Sequence, residues 1–291
     1  MTLHKRVAYL AMTLGLVSAG LIASQGAAVA ATPTCETSIV GVQPDGRLVD
    51  RRVTNTAVEK EYLTADPLSF PVDNMVFTGA EQVTGGSVSH LNTFSSGDTP
   101  RNVDLARQDG STVHTATVAA TYAKPFSARL VAGSASYFVY TVDGRGRLRQ
   151  WTRERDDAGH FWFDNPKLVA RHMGGLKTLS YSWTFKLDGK WNDFLYGTTR
   201  GGALKQIRIP WRKPGNAKVV TIKKSGFASY TGLSLSFCGN NAKYLSIVGV
   251  DRVHNRARWY TLRGALAPRA ANLVRRGWVA PGAEWRLHGV F

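Results

Sequence analysis

The sequence predicts an all-β fold, a single five-bladed β-propeller with four-stranded blades whose ring is closed by the C-terminal strand. Three observations lead there. A hairpin pattern recurs five times at a spacing of about fifty residues, the spacing of a four-stranded blade. Helical periodicity is nearly missing, the one weak stretch running from about Ala265 to Arg275. The C-terminal Glu284-Trp285-Arg286-Leu287-His288-Gly289-Val290-Phe291 reads as a strand and is placed beside the first blade.

Each copy of the hairpin joins an apolar run to an alternating one through residues that accept positive φ. The first is Ser38-Ile39-Val40-Gly41-Val42, turning at Asp45-Gly46 into Arg47-Leu48-Val49. The second runs from Met75-Val76-Phe77-Thr78-Gly79 through Gly85-Gly86 into Ser87-Val88-Ser89-His90-Leu91. The third has Tyr137-Phe138-Val139-Tyr140-Thr141-Val142, the turn Asp143-Gly144-Arg145-Gly146, and Arg147-Leu148-Arg149-Gln150-Trp151. Phe194-Leu195-Tyr196-Gly197 and Ala203-Leu204-Lys205-Gln206-Ile207 flank Arg200-Gly201-Gly202 in the fourth. Leu245-Ser246-Ile247-Val248-Gly249-Val250, His254-Asn255 and Arg256-Ala257-Arg258-Trp259-Tyr260 make the fifth. One hairpin cannot bury its own apolar face, so further strands are expected between copies, among them Lys218 to Ile222 and Pro166 to Ala170. A β-sandwich or two small β domains would use the same strand count.

Ahead of this array, Lys5 and Arg6 precede an apolar run from Val7 to about Ala23, and Ala28 and Ala30 stand at the −3 and −1 positions of a cleavage site. Residues 1–30 read as a secretory signal cut after Ala30, the run being shorter than the ~20 apolar residues of a membrane span. Residues 31–291 form the propeller domain, a soluble extracellular monomer. Two cysteines remain, Cys35 and Cys238. An oxidising compartment lets them pair, and a loop of that length would contribute about 4–5 kcal/mol; two free thiols are the alternative. Neither has the neighbouring His and Asn or Asp of a nucleophile.

The formal charge is +17. Such a charge raises the local concentration of anionic partners, extracellular polymers included, or simply keeps the protein soluble. Basic clusters with interleaved aromatics, as in Arg256-Ala257-Arg258-Trp259, suit a polyanion, although alternation on a strand also yields such a row as a solvated face.

Trp191-Asn192-Asp193-Phe194-Leu195-Tyr196 with Gly202-Ala203-Leu204, Tyr137 to Tyr140 with Gly146-Arg147-Leu148, and Gly277-Trp278 resemble the repeat of the tachylectin family of five-bladed lectins. There a Trp-containing turn leads into an apolar strand and a Gly-x-Leu turn into the next. The resemblance implies a propeller that binds N-acetylated amino sugars at sites repeated around the ring. The second unit departs from it by lacking Gly-x-Leu, and the insertions are longer and uneven. Indole faces stack on sugar rings as well as they fill cores. Trp191 and Trp211, flanking turns, are the exposed candidates, and with Asn192 and Tyr196 they form the expected ligand-binding set.

Five-bladed propellers also host glycoside hydrolases, whose chemistry needs a carboxylic acid and a carboxylate across one bond. Asp45, Asp143, Glu154, Asp188, Asp193 and Asp251 are the carboxylates in question, and Asp45, Asp143 and Asp251 sit at turns where Asp is favoured locally. No Gly-x-Ser-x-Gly elbow and no metal-binding His pair occurs. The expectation is therefore a secreted lectin-like protein for amino-sugar glycans of cell wall or glycoprotein, without catalysis, metal or cofactor. A hydrolase on the same scaffold and a basic binder of anionic extracellular polymers are the alternatives.

Overall fold

The computed structural model describes residues 34–95, 100–121, 128–133, 137–155, 161–239 and 243–291, so the expected export signal lies outside the described residues. Every element is a β-strand or a short 3-10 turn, the latter at Met173–Gly175, Pro214–Asn216 and Ala270–Asn272. The last of these stands where the weak helical stretch was expected.

The strands run in consecutive antiparallel meanders. β1 (Glu36–Val42), β2 (Leu48–Thr54) and β3 (Ala57–Thr64) form the first. β4 (Asn74–Val83), β5 (Gly86–Phe94), β6 (Arg101–Gln108) and β7 (Val113–Thr121) form the second. A short parallel contact, Leu63 with Val113 and Thr64 with His114, joins these two into one seven-stranded sheet. Three four-stranded sheets follow. They are β8 (Leu130–Gly133) to β11 (Phe161–Ala170) through β9 (Phe138–Val142) and β10 (Leu148–Arg155), then β12 (Ser180–Leu187), β13 (Lys190–Thr198), β14 (Leu204–Pro210) and β15 (Lys218–Lys223), and last β16 (Gly232–Phe237), β17 (Tyr244–Asp251), β18 (Arg256–Arg263) and β19 (Leu273–Val279).

Four of the five expected hairpins are β1–β2, β9–β10, β13–β14 and β17–β18. The second is different. Met75 to Gly79 lies on β4 and pairs with β5, whereas the hairpin equivalent to the others is β5–β6. The Gly85-Gly86 turn gave as strong a local signal as the true repeat turns, so pattern alone chose the wrong pair.

Three turns are built alike. Residues 43–47, 143–147 and 199–203 each close with a backbone bond from the first residue to the carbonyl of the last, and each places a glycine at positive φ: Gly46, Gly146 and Gly202. The carbonyls of those glycines then accept Leu68, Met173 and Phe227 N–H groups. Each of these turns is thereby pinned by the chain leaving the last strand of its own meander. At Gly146 a Cβ would lie 2.5 Å from the Gly174 nitrogen, so only glycine fits.

The apolar core is divided among the faces where sheets meet. Ile39, Val49 and Val53 pack on Val248, Val250 and Trp259, joining the first meander to the last sheet. Tyr196, Leu204 and Phe194 pack on Leu233, Ile247 and Tyr260, and Tyr140, Val142 and Leu148 on Leu195, Ile207 and Ile209. Val40 and Leu48 meet Met75, Leu91 and Val103, and Val76 and Phe94 meet Val131 and Val139. The middle strands are thus buried on both faces.

Cys35, just before β1, is bonded to Cys238, just after β16, across 203 residues. The C-terminal residues meet β1 through one antiparallel bridge, Val42 with His288, plus the Phe291 N–H to Val40 O bond, and make no continuous strand. Gly289 at positive φ interrupts the extended run. Buried Arg51 holds this segment, donating to Glu61 and to the Glu284 carbonyl with its guanidinium 4.9 Å from the Trp285 ring centre.

Candidate functional site

The first strands of the four-stranded meanders, β4, β8, β12 and β16, converge with β1 and the C-terminal segment on two neighbouring openings. One is a groove of about 440 Å³; the other is a mouth of about 460 Å³ at the starts of those strands, and both are lined by Leu179 and Ser180. Volumes of this size suit small-molecule or sugar binding.

The groove combines an apolar floor with a rank of hydroxyls. Val40, Phe77, Leu91, Leu105, Leu235 and Phe291 supply the floor. Ser-x-Ser pairs on successive first strands, Ser180 and Ser182 on β12 and Ser234 and Ser236 on β16, place serines along the wall, with Ser38 from β1. Ser180 donates to Leu233 O, Ser234 to Ser38 O and Ser236 to Glu36 O. A serine hydroxyl that donates to a carbonyl keeps lone pairs to accept from a ligand.

Trp183 stands at this groove with 57% of its surface exposed. Its position follows from a β-bulge: Tyr181 pairs with Leu195 and Trp183 with Phe194, leaving Ser182 unpaired between them. Bulges re-aim side chains in this way. The Ser182 hydroxyl is buried with no hydrogen-bond partner. On the opposite wall His114 of β7 is 6% exposed, meets Tyr62 edge-on at 5.6 Å, and has neither ring nitrogen hydrogen-bonded. Burial pulls the His114 pKa down, with Arg107 adding to the effect and Asp50 opposing it, so the ring stays neutral with one donor and one acceptor free. Asp50, which accepts the Ser38 hydroxyl at 2.5 Å, is the carboxylate lining the groove.

Of the residues expected to bind ligand, Trp191 and Trp211 are brought together, whereas Asn192 and Tyr196 are buried. Trp191 is 48% exposed and stacks on half-buried Trp211 at 5.6 Å and 24° between planes, with exposed Tyr137 edge-on to Trp211 at 5.5 Å. That aromatic surface lies outside the groove and the mouth. Asn192 is buried and donates to Lys190 O. Tyr196 is a correction: it is 1% exposed in the core, donates to Ala265 O and receives Gln206 Nε2. Its strand is buried on both faces, so a ligand has no path to it.

Three of the carboxylates considered for catalysis have structural tasks. Asp143 caps its turn through the Arg145 and Arg147 N–H groups, and buried Asp251 holds His254 and Arg256. Asp193, fully buried, accepts from Tyr140 at 2.6 Å and from Thr184. The Trp211 indole N–H also favours its charge without closing a hydrogen bond of ordinary geometry. Desolvation pushes Asp193 up despite these donors, and burial beside it pushes Tyr140 well up. Among the described residues no cluster of His, Cys, Asp or Glu is arranged to hold a metal, and no helix is long and apolar enough to cross a membrane.

The Ser-x-Ser spacing of β12 and β16 is visible in the chain. Nothing in the sequence marked His114, because its place on the groove wall depends on the contact of β3 with β7.

No protein-family model matches the chain, and no curated protein matches it. Among solved structures it is similar to SapL1 lectin in complex with α-methyl fucoside, at 14% identity over 86% of this chain and 81% of that one with a TM-score of 0.44. It is similar to a mutant of AofleA from Arthrobotrys oligospora at 10% identity, covering 83% and 72%, TM-score 0.43. A third likeness is to CoXyl43, a GH43 β-xylosidase/α-arabinofuranosidase from a compost metagenome, at 8% identity, covering 84% and 92%, TM-score 0.31. Likeness this distant assigns none of their ligands to this chain.

Proposed function

We propose that this chain is a secreted carbohydrate-binding β-propeller that holds amino-sugar glycans without turning them over. The observation that carries the reading is the groove: an exposed indole, Trp183, lines it together with serine hydroxyls, the Asp50 carboxylate and apolar side chains. A pyranose offers the matching surface, an apolar face for the indole and hydroxyls for Ser38, Ser182, Ser234 and Asp50. An acetamido group adds a methyl for the floor and an N–H and C=O that neutral His114 can pair with.

Five blades account for the sheets, the first meander counting as one blade completed by the C-terminal segment at Val42 and His288. The five apolar clusters between neighbouring sheets, with the last packed on the first, support a closed ring. The disulfide supports an oxidising destination, and residues 1–30 supply the signal, leaving 31–291 as a monomeric domain. Trp191 with Trp211 forms a second, shallower platform for a long glycan. Two-carboxylate hydrolysis is disfavoured because Asp50 is the one carboxylate side chain lining the groove among the described residues.

The test is retention of the mature protein on insoluble chitin and peptidoglycan at low and high salt with free N-acetylglucosamine as competitor. Salt-resistant retention released by the sugar, and weakened at least ~10-fold by Trp183→Ala, is expected from loss of a stacking contact. Salt-labile retention indifferent to sugar refutes it.

A further inference from the structure

The mouth at the other end has a different chemistry. It is lined by Asp73 and Asn74 ahead of and on β4, Arg129 ahead of β8, Lys177 to Ser180 at the start of β12, and Thr231 and Gly232 at β16. A smaller recess of about 210 Å³ adjoins it, sharing Asp73, Lys177, Thr231 and Gly289 and adding Arg252 and His288. Three cations from the approaches to three separate sheets therefore border the mouth and its adjoining recess, against one carboxylate side chain among the described residues, Asp73.

None of the three has an ion pair among the described residues. Arg129 donates to the carbonyl of Leu176 at 2.7 Å, with Met173 and Gly174 carbonyls at 3.5 and 3.4 Å. Lys177 Nζ donates to Ala228 O at 2.6 Å, and Arg252 donates to His288 Nδ1 at 2.8 Å. These bonds aim the cations at neutral acceptors, none of which cancels their charge. Burial first, and then the Arg200 guanidinium, pull Arg129 below the ordinary arginine value; burial and then Arg252 pull His288 down, with Asp73 opposing them. Like charges held together cost stability in the empty protein, and an entering anion removes that cost while gaining charge-assisted hydrogen bonds from a preset arrangement. All three are half-buried, so salt screens them less than it screens the free surface arginines.

We propose that this mouth is an oxyanion-binding site, held by Lys177, Arg252 and Arg129, for the carboxylate or sulfate of an acidic saccharide. For the saccharide carrier it rests on the carbohydrate reading of the groove; the anion site itself does not. The protein would then grip an acidic glycan by its charge at one end of the passage and a neutral ring by stacking at the other.

Calorimetric titration at fixed ionic strength tests it, using inorganic sulfate, a uronic-acid tetrasaccharide, a sulfated tetrasaccharide and a neutral N-acetylglucosamine tetrasaccharide. The proteins are the mature chain, Lys177→Gln with Arg252→Gln, and a control pair on the open surface of the last sheet, Arg263→Gln with Arg275→Gln. The acidic saccharides should bind at least ten-fold tighter than inorganic sulfate and lose at least ten-fold in the mouth pair, with the control pair and neutral-sugar binding unchanged. Which acidic saccharide binds tighter identifies the oxyanion. Equal losses in both pairs, or none in the mouth pair, overturn the site. Acidic saccharides no tighter than sulfate overturn the saccharide carrier. Trp183→Ala separates the two readings: it should weaken neutral-sugar binding and leave the response to sulfate intact. Unchanged melting temperature in the mouth pair excludes unfolding as the cause.

Discussion

Replacing Gly146 by alanine tests whether the repeated turns are packed devices. The residue sits at φ +73, where an L side chain costs about 1–2 kcal/mol. The new Cβ would also lie 2.5 Å from the Gly174 nitrogen and 2.9 Å from its Cα, backbone atoms that cannot swing aside. Overpacking of that kind costs about 1–3 kcal/mol more. Gly85→Ala is the matched control: φ is +75, and nothing lies within 4 Å of its Cβ. Both substitutions reduce the freedom of the unfolded chain alike, so that contribution cancels. The difference between them is then about 1–3 kcal/mol, or roughly 2–12 °C in melting temperature for a domain of this size. Gly202→Ala and Gly46→Ala, whose nearest contacts are 3.0 and 3.1 Å, should fall between. Thermal unfolding of the oxidised protein reads the order. Equal melting temperatures for Gly146→Ala and Gly85→Ala would refute the claim that the chain leaving the outer strand packs against the turn.

Other outcomes follow from the same structure. Replacing Cys35 and Cys238 together by alanine frees a loop of 203 residues and should cost about 5 kcal/mol in the chain-entropy model, read as a lowered urea midpoint. Tyr140→Phe removes a donor from buried Asp193 and an acceptor from Gln150, a loss of about 1–3 kcal/mol that denaturant unfolding should show. His114 is neutral when folded with its pKa below the ordinary value, so below about pH 6.5 the unfolded chain takes up a proton that the folded chain refuses. Stability should fall as pH drops from 7 to 5, and His114→Gln should flatten that fall; an unchanged slope in the variant would remove His114 from the account.

The local part of this architecture was legible in the chain. Alternating apolar residues and turns carrying Gly46, Gly146 and Gly202 named most hairpins, because φ-positive turns and period-two strands are set by neighbours in sequence. A chain with two cysteines left one pairing to form. The misplaced second hairpin marks the limit, since Gly85-Gly86 makes as good a turn as any whichever strands it joins.

Exposure was decided only in three dimensions. Alternation tells which residues share a face of a strand, and it is silent about whether another sheet covers that face. Tyr196 and Trp183 are both aromatic strand residues of the same sheet. Tyr196 is sealed between two sheets, while a bulge turns Trp183 into the groove. His114, Ser182 and Asp50 come from β7, β12 and β2, and Arg129, Lys177 and Arg252 from the approaches to three sheets. The chain determined the strands and their turns; the packing of sheet on sheet decided which side chains face a ligand, because that convergence depends on contacts between residues far apart in the chain.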